Sequence, residues 1–143
     1  MIDAGLYRRL FAELAAIGRT PGGWNRMAWG PGEDAARDWF SAAATALGLE
    51  IVQDPASNLW AVEPGGGEGP FDAVGSHLDS VADGGAFDGA LGVVTGLVAS
   101  YGIAGKDVGS TQIKAEPPNY PPSARPSKGR EALAVFGLMT SFH

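Results

Sequence analysis

The sequence predicts an α/β fold, and three features carry the prediction. Residues 3–17 and 33–47 repeat their apolar positions at helical spacing, and residues 49–63 switch to strand-like alternation. A glycine-rich loop after a further strand then leads into an apolar helix at 89–103. Two helices, a hairpin, a strand, a loop and a helix make the opening of an α/β sandwich.

Each element has a local reason. In 3–17, Leu6, Leu10, Leu14 and Ile17 lie on one helical face, with Asp3 as N-cap and Gly18 as stop. The segment "RTPGGWNRMAWGPG" (19–32) is rich in Gly and Pro and reads as a loop, with Trp24 and Trp29 pinning it to the body. In 33–47, Ala36, Trp39, Phe40, Ala43 and Leu47 form an apolar face, and Gly48 ends the helix. "LEIVQD" (49–54) and "NLWAVE" (58–63) alternate as strands around a turn at "PAS". "PGGGEG" (64–69) reads as a turn, and "FDAVGSH" (71–77) as a strand with a buried centre at Ala73 and Val74. The glycines and alanines of "GALGVVTGLVASYGI" (89–103) suit a buried helix packed closely on a sheet. Beyond Ile103 no period is sustained, which reads as coil or disorder, and "EALAVFGLMTSF" (131–142) is compatible with either a short strand or a short helix.

Composition bounds the function. A chain of 143 residues suffices for one domain with a real core. Its formal net charge of -6 argues against nucleic acid or an anionic membrane as partner. There is no cysteine, which removes disulfides and thiolate ligands and accords with a reducing compartment. The N-terminus, with acids and arginines spaced through it, is not a signal peptide, and no run approaches the ~18 apolar residues of a membrane span. A soluble cytoplasmic protein is the expectation. The averages conceal a break, however. Residues 1–99 hold five Arg, no Lys and 13 acids (net -8), whereas 100–143 hold three Lys, two Arg and three acids (net +2). The expected organisation is therefore a folded part over 1–103 and an atypical Pro-rich tail over 104–143.

The chemistry concentrates in "GSHLDSVADGGAFDGALGV", Gly75–Val93. His77 falls at the carboxyl end of a predicted strand, where ligand sites collect in open α/β sheets. Asp79, two residues on, would project to the same side of an extended chain and accept the second ring N–H of His77. Asp88 falls at the start of the predicted helix, in a loop whose glycines permit tight turns and close backbone approach. A carboxylate there would be able to bridge two metal ions ~3.5–4 Å apart. The competing reading is plainer: a solvated strand end explains His77 and Asp79, and a helix cap explains Asp88. Ser80 and Asp83 read as loop residues.

This stretch resembles the metal-binding core of the M20 amidohydrolases, most of all the hydantoinase/carbamoylase branch of N-carbamoyl-L-amino-acid hydrolases and allantoate amidohydrolases. "GRTPGGWNRMAWGPGEDAARDWF" and "GLEIVQDPASNLWAV" resemble the lead-in of that branch in the same order, so the likeness covers about residues 5–99. The short interval from His77 to Asp88 favours this branch over the M20 peptidases, the third reading. The resemblance implies the N-terminal part of a dinuclear-metal aminopeptidase-like α/β sandwich with an incomplete sheet. It implies His77 and Asp88 as metal ligands, Asp88 bridging, and Asp79 orienting His77. It also implies two divalent ions (Zn or Mn), a small ureido or carbamoyl substrate, and hydrolysis of its C–N bond.

The sequence departs from that family after the helix. The family's Glu-Glu pair, which supplies the general base, occurs nowhere, and Glu116 and Glu131 inherit no role. The later histidine ligands and the dimer-forming domain are missing, and the other histidine, His143, lies in no recognisable motif. The expectations are a truncated or frame-shifted family member, inactive alone and marginally folded. The alternative is a non-catalytic remnant or subunit whose site a partner chain completes.

Overall fold

A computed structural model of the protein describes residues 3–64, 72–103 and 133–138. The sequence readings of 65–69 as turn and of 104–130 as coil, together with Glu116, Glu131 and His143, lie outside the described residues.

Helix α1 spans Ala4–Ala16 and buries Leu6, Leu10 and Leu14. The Asp3 carboxylate accepts the Gly5 and Leu6 N–H groups at 2.9 and 3.0 Å, satisfying two of the helix's open donors. Helix α2 spans Pro31–Ala46, two residues earlier than the apolar period indicates. The cause is Pro31 at the first helical turn, where its fixed φ suits the helix and its missing N–H is not needed. Glu33, almost wholly buried, reaches back to accept the Trp29 N–H at 2.6 Å. Trp29 itself does not pin the loop: its side chain is 69% exposed, on a backbone with φ +62°. That role belongs to Trp24, whose indole N–H donates to the Ala15 carbonyl at 2.6 Å.

Strands β1 (Glu50–Gln53) and β2 (Leu59–Val62) form an antiparallel hairpin. Asp54 builds its turn. Its carboxylate accepts the Ala56 and Asn58 N–H groups, the Asn58 amide and the Trp60 indole N–H, all at 2.9–3.0 Å. Strand β3 runs Asp72–His77, helix α3 Ala90–Ile103 and strand β4 Leu133–Leu138. The sheet order is β1-β2-β4-β3, with β4 antiparallel to β2 and parallel to β3. The segment left open between strand and helix is thus a strand, and it sits inside the sheet rather than in a tail of coil. The apolar run "LAVFGL", with its Val and Phe, suits a strand paired on both edges.

The hairpin's alternation divides the core. Leu59, Ala61 and Ile51 join the helices' cluster around Leu10, Leu14, Phe40, Val93, Val94 and Leu97. Trp60, Val62, Val52 and Ala73 form a smaller cluster of their own. Helix α3 packs on β3 and β4, α2 packs on the hairpin, and α1 closes against α3 and α2. Three helices on a small mixed sheet meet the α/β expectation at this level. No helix among the described residues is long and apolar enough to cross a membrane.

Candidate metal centre

His77 is the last residue of β3, and the chain then loops from Leu78 to Gly89 before α3 begins. Its ring is held on one side and open on the other. Nδ1 lies 3.0 Å from the main-chain oxygen of Asp79 and 3.2 Å from the Asp79 Oδ1. Both are acceptors, so Nδ1 carries the hydrogen; the bond itself goes to the main-chain oxygen, and the carboxylate stands behind it. In the neutral ring this leaves the lone pair on Nε2, which faces Asp88 Oδ1 at 3.4 Å. Asp79 is largely buried, with its side chain 15% exposed, whereas Asp88 is 50% exposed.

The donor set can be tested against a metal. Two ligands bonded at ~2.0–2.1 Å in a near-tetrahedral arrangement stand ~3.3–3.4 Å apart. The separation of Nε2 and Oδ1 meets that condition, and the tautomer presents the correct nitrogen. No group of three or more His, Asp or Glu residues able to hold an ion occurs among the described residues. His77 and Asp88 therefore fit a metal as two donors of a larger set.

Close packing positions the pair. Gly89 has φ +68°, and a Cβ there would meet the His77 carbonyl and lie 2.7 Å from its Nδ1. At Gly92 an added Cβ would stand 2.5 Å from the Ser76 Cβ, so α3 lies directly against the end of β3.

A second layer, not apparent in the sequence, anchors the loop. The Ser80 N–H donates to the Arg26 carbonyl at 2.8 Å, and the Arg26 N–H donates to Ser80 Oγ at 2.9 Å. Trp24 and Gly84 exchange both backbone bonds, at 3.1 and 2.9 Å. The Asp83 N–H donates to Asn25 Oδ1, and the Asn25 amide donates to Asp83 Oδ1, both at 3.0 Å. Ser80 and Asp83, read as plain loop residues, are thus fasteners between the loop and the segment before α2. Little in the sequence announces Arg26 beyond a charge set between Trp24 and Met27 in a stretch rich in Gly and Pro. It is fully buried, and Nε donates to the Leu78 carbonyl at 2.8 Å. Burial lowers its pKa from the ordinary guanidinium range, while the negative charges of Asp88 and Asp79 oppose the shift.

No family model matches the chain. A protein of Mycolicibacterium smegmatis is 44% identical to it over 103 residues, 69% of this chain and 24% of that protein. An N-carbamoyl-L-amino acid amidohydrolase of Geobacillus stearothermophilus is 39% identical over 94 residues, 64% of this chain and 23% of the enzyme. Among solved structures, a hydantoinase/carbamoylase family amidase from Burkholderia ambifaria superposes with a TM-score of 0.72 at 28% identity. That superposition covers 95% of this chain and 29% of the amidase. The chain is a relative of the hydantoinase/carbamoylase amidases. It spans about a quarter of the length of the curated relatives it matches. A second family amidase, from Burkholderia phymatum, superposes with a TM-score of 0.71 at 25% identity over 96% of the chain. The hydantoinase/carbamoylase likeness thus extends over nearly all of this chain, in a part of each amidase alone.

Proposed function

We propose that this chain carries part of a two-metal centre that hydrolyses a C–N bond of a carbamoyl or ureido group in a small molecule, such as an N-carbamoyl-L-amino acid or allantoate. The observation that carries the reading is the 3.4 Å approach of His77 Nε2 to Asp88 Oδ1, with Nδ1 tied to Asp79. The names of the amidohydrolase and amidase relatives support the substrate class. In this reading the fold is the N-terminal part of a dinuclear aminopeptidase-like sandwich.

His77 would hold one ion through Nε2. Asp88, exposed and with two carboxylate oxygens, would reach that ion and a second one. Asp79 would keep the His77 ring in one tautomer and one orientation. Bound divalent ions, zinc or manganese, polarise a carbonyl and lower the pKa of water. A catalytic zinc takes about three protein ligands. The remaining donors and the general base would come from a partner chain.

Calorimetric titration of the 143-residue chain with Zn2+ and Mn2+ tests the site. Binding is expected, at least tenfold weaker in His77→Ala and in Asp88→Ala. Binding that both substitutions leave unchanged would sink the assignment. Assays with N-carbamoyl amino acids and allantoate under added metal should show no turnover beyond metal-only controls. Turnover well above them would show that the centre is complete in this chain.

A further inference from the structure

We propose that Arg26 is a positioning residue for the His77 ring: its buried guanidinium grips the Leu78 carbonyl and so fixes the peptide between His77 and Asp79 on which the ring's tautomer depends. Arg26 has no exposed surface. Its Nε donates to the Leu78 carbonyl at 2.8 Å, and Nη1 donates to the Ile17 carbonyl at 3.2 Å, just past the end of α1. Its own backbone exchanges bonds with Ser80 on the other side of Asp79. The main chain from Leu78 to Ser80 is therefore held at both ends by one residue 52–54 positions earlier. The acceptor that fixes the His77 ring is the main-chain oxygen of Asp79, midway between those two grips.

Two orphaned polar atoms belong to these same residues. Arg26 Nη2 and Asp79 Oδ1 are buried, and neither has a hydrogen-bond partner among the described residues. A cation kept from water in this way is costly unless opposite charge stands near, and Asp79 and Asp88 supply it. A buried arginine whose role was packing alone would be replaceable by an apolar side chain of similar volume. Here the guanidinium is spent on the two carbonyls that join the end of α1 to the loop after β3.

Charge and positioning predict opposite signs. Removing a cation beside two carboxylates favours metal binding by Coulomb's law alone. Releasing the Leu78–Ser80 backbone disfavours it, because the ring loses its fixed tautomer. The inference rests on the proposed metal site only for its second readout.

The first readout needs no metal. Ring 15N shifts of His77 in the full chain, recorded above pH 8, are expected to report a single Nδ1–H tautomer. Arg26→Met should give a mixture of tautomers, and Arg26→Lys, which keeps charge and stem but loses the Nε donor, should also shift toward a mixture. The second readout is Co2+ affinity per folded molecule, expected to fall at least tenfold in both variants. Val62→Ala, a control in the separate Trp60 cluster, should leave tautomer and affinity as in the parent. A parental tautomer in Arg26→Lys overturns the proposal even where Arg26→Met does not fold, and so does affinity that rises in the variants. A parent that binds no Co2+ while its variants still change tautomer removes the metal site and leaves the positioning role standing.

Discussion

Replacing Gly89 by Ala tests whether the close approach of α3 to His77 builds the site. Gly48 provides the control. Both glycines have positive φ, +82° at Gly48 and +68° at Gly89. A Cβ on Gly48 meets nothing within 4 Å, so Gly48→Ala isolates the cost of the left-handed backbone, ~1–2 kcal/mol. A Cβ on Gly89 runs into the His77 carbonyl and lies 2.7 Å from its Nδ1. Neither obstacle is a flexible chain end: one is the backbone of a paired strand and the other a ring bonded to Asp79. Overpacking against such neighbours adds ~1–3 kcal/mol, which brings Gly89→Ala to ~2–5 kcal/mol. For a chain of 143 residues each kcal/mol moves the melting midpoint by roughly 4 °C. Urea unfolding followed by tryptophan fluorescence, with both variants measured beside the parent, gives the difference directly. Gly89→Ala should be the more destabilised, and it alone should weaken Co2+ binding per folded molecule. If the two variants differ by less than about 0.5 kcal/mol, the scale of ordinary surface substitutions, the packing argument for the site is wrong.

Three other outcomes follow from the same contacts. Burial raises the Asp54 pKa, but hydrogen bonds from Asn58, Trp60 and Ala56 outweigh it, so the folded value lies below the unfolded one. Such a group stabilises the fold above its unfolded pKa of ~3.9 and loses that contribution as pH falls through the lower folded value. Asp54→Asn should accordingly lower stability at pH 7 and flatten the acid-unfolding curve below about pH 4; an unchanged slope there refutes the assignment. Asn25→Ala removes the paired bonds to Asp83, worth ~1 kcal/mol on an exposed surface, and amide exchange at Asp83 and Trp24 should accelerate while that at α2 stays constant. Trp24→Phe should cost ~1 kcal/mol through the lost bond to the Ala15 carbonyl, whereas Trp29→Ser should stay within ~0.5 kcal/mol in thermal melts.

The legible parts of this fold are those decided locally. Leu6, Leu10 and Leu14 beside Asp3 specify α1 and its cap within a dozen residues, and the alternation of "LWAV" places Trp60 and Ala61 on opposite faces of the sheet. What escaped was decided at a distance or by competition. Trp29 looked like an anchor because large aromatics are usually buried. The turn into α2 instead spends that residue on a positive φ and on an N–H offered to Glu33, and leaves its ring in solvent. The strand at Leu133–Leu138 was ambiguous because a short apolar run serves either a helix or a strand, and its pairing with β2 and β3 resolves it.

The candidate site divides along the same line. His77 and Asp88 are eleven positions apart, so the loop between them closes at little entropic cost and their pairing is written in one short motif. A loop rich in glycine is also loose, however, and a pair of ligands is useful only when held within a fraction of an ångström. The bonds that tighten it come from Asn25, Arg26 and Trp24, more than fifty positions earlier. None of those residues is a metal ligand, and none belongs to the motif. The Gly75–Val93 stretch grafted without the segment from Gly18 to Arg26 would therefore carry His77 and Asp88 on a loop free to place them wrongly. The rigidity of the centre is a property of the packing between two distant stretches of chain.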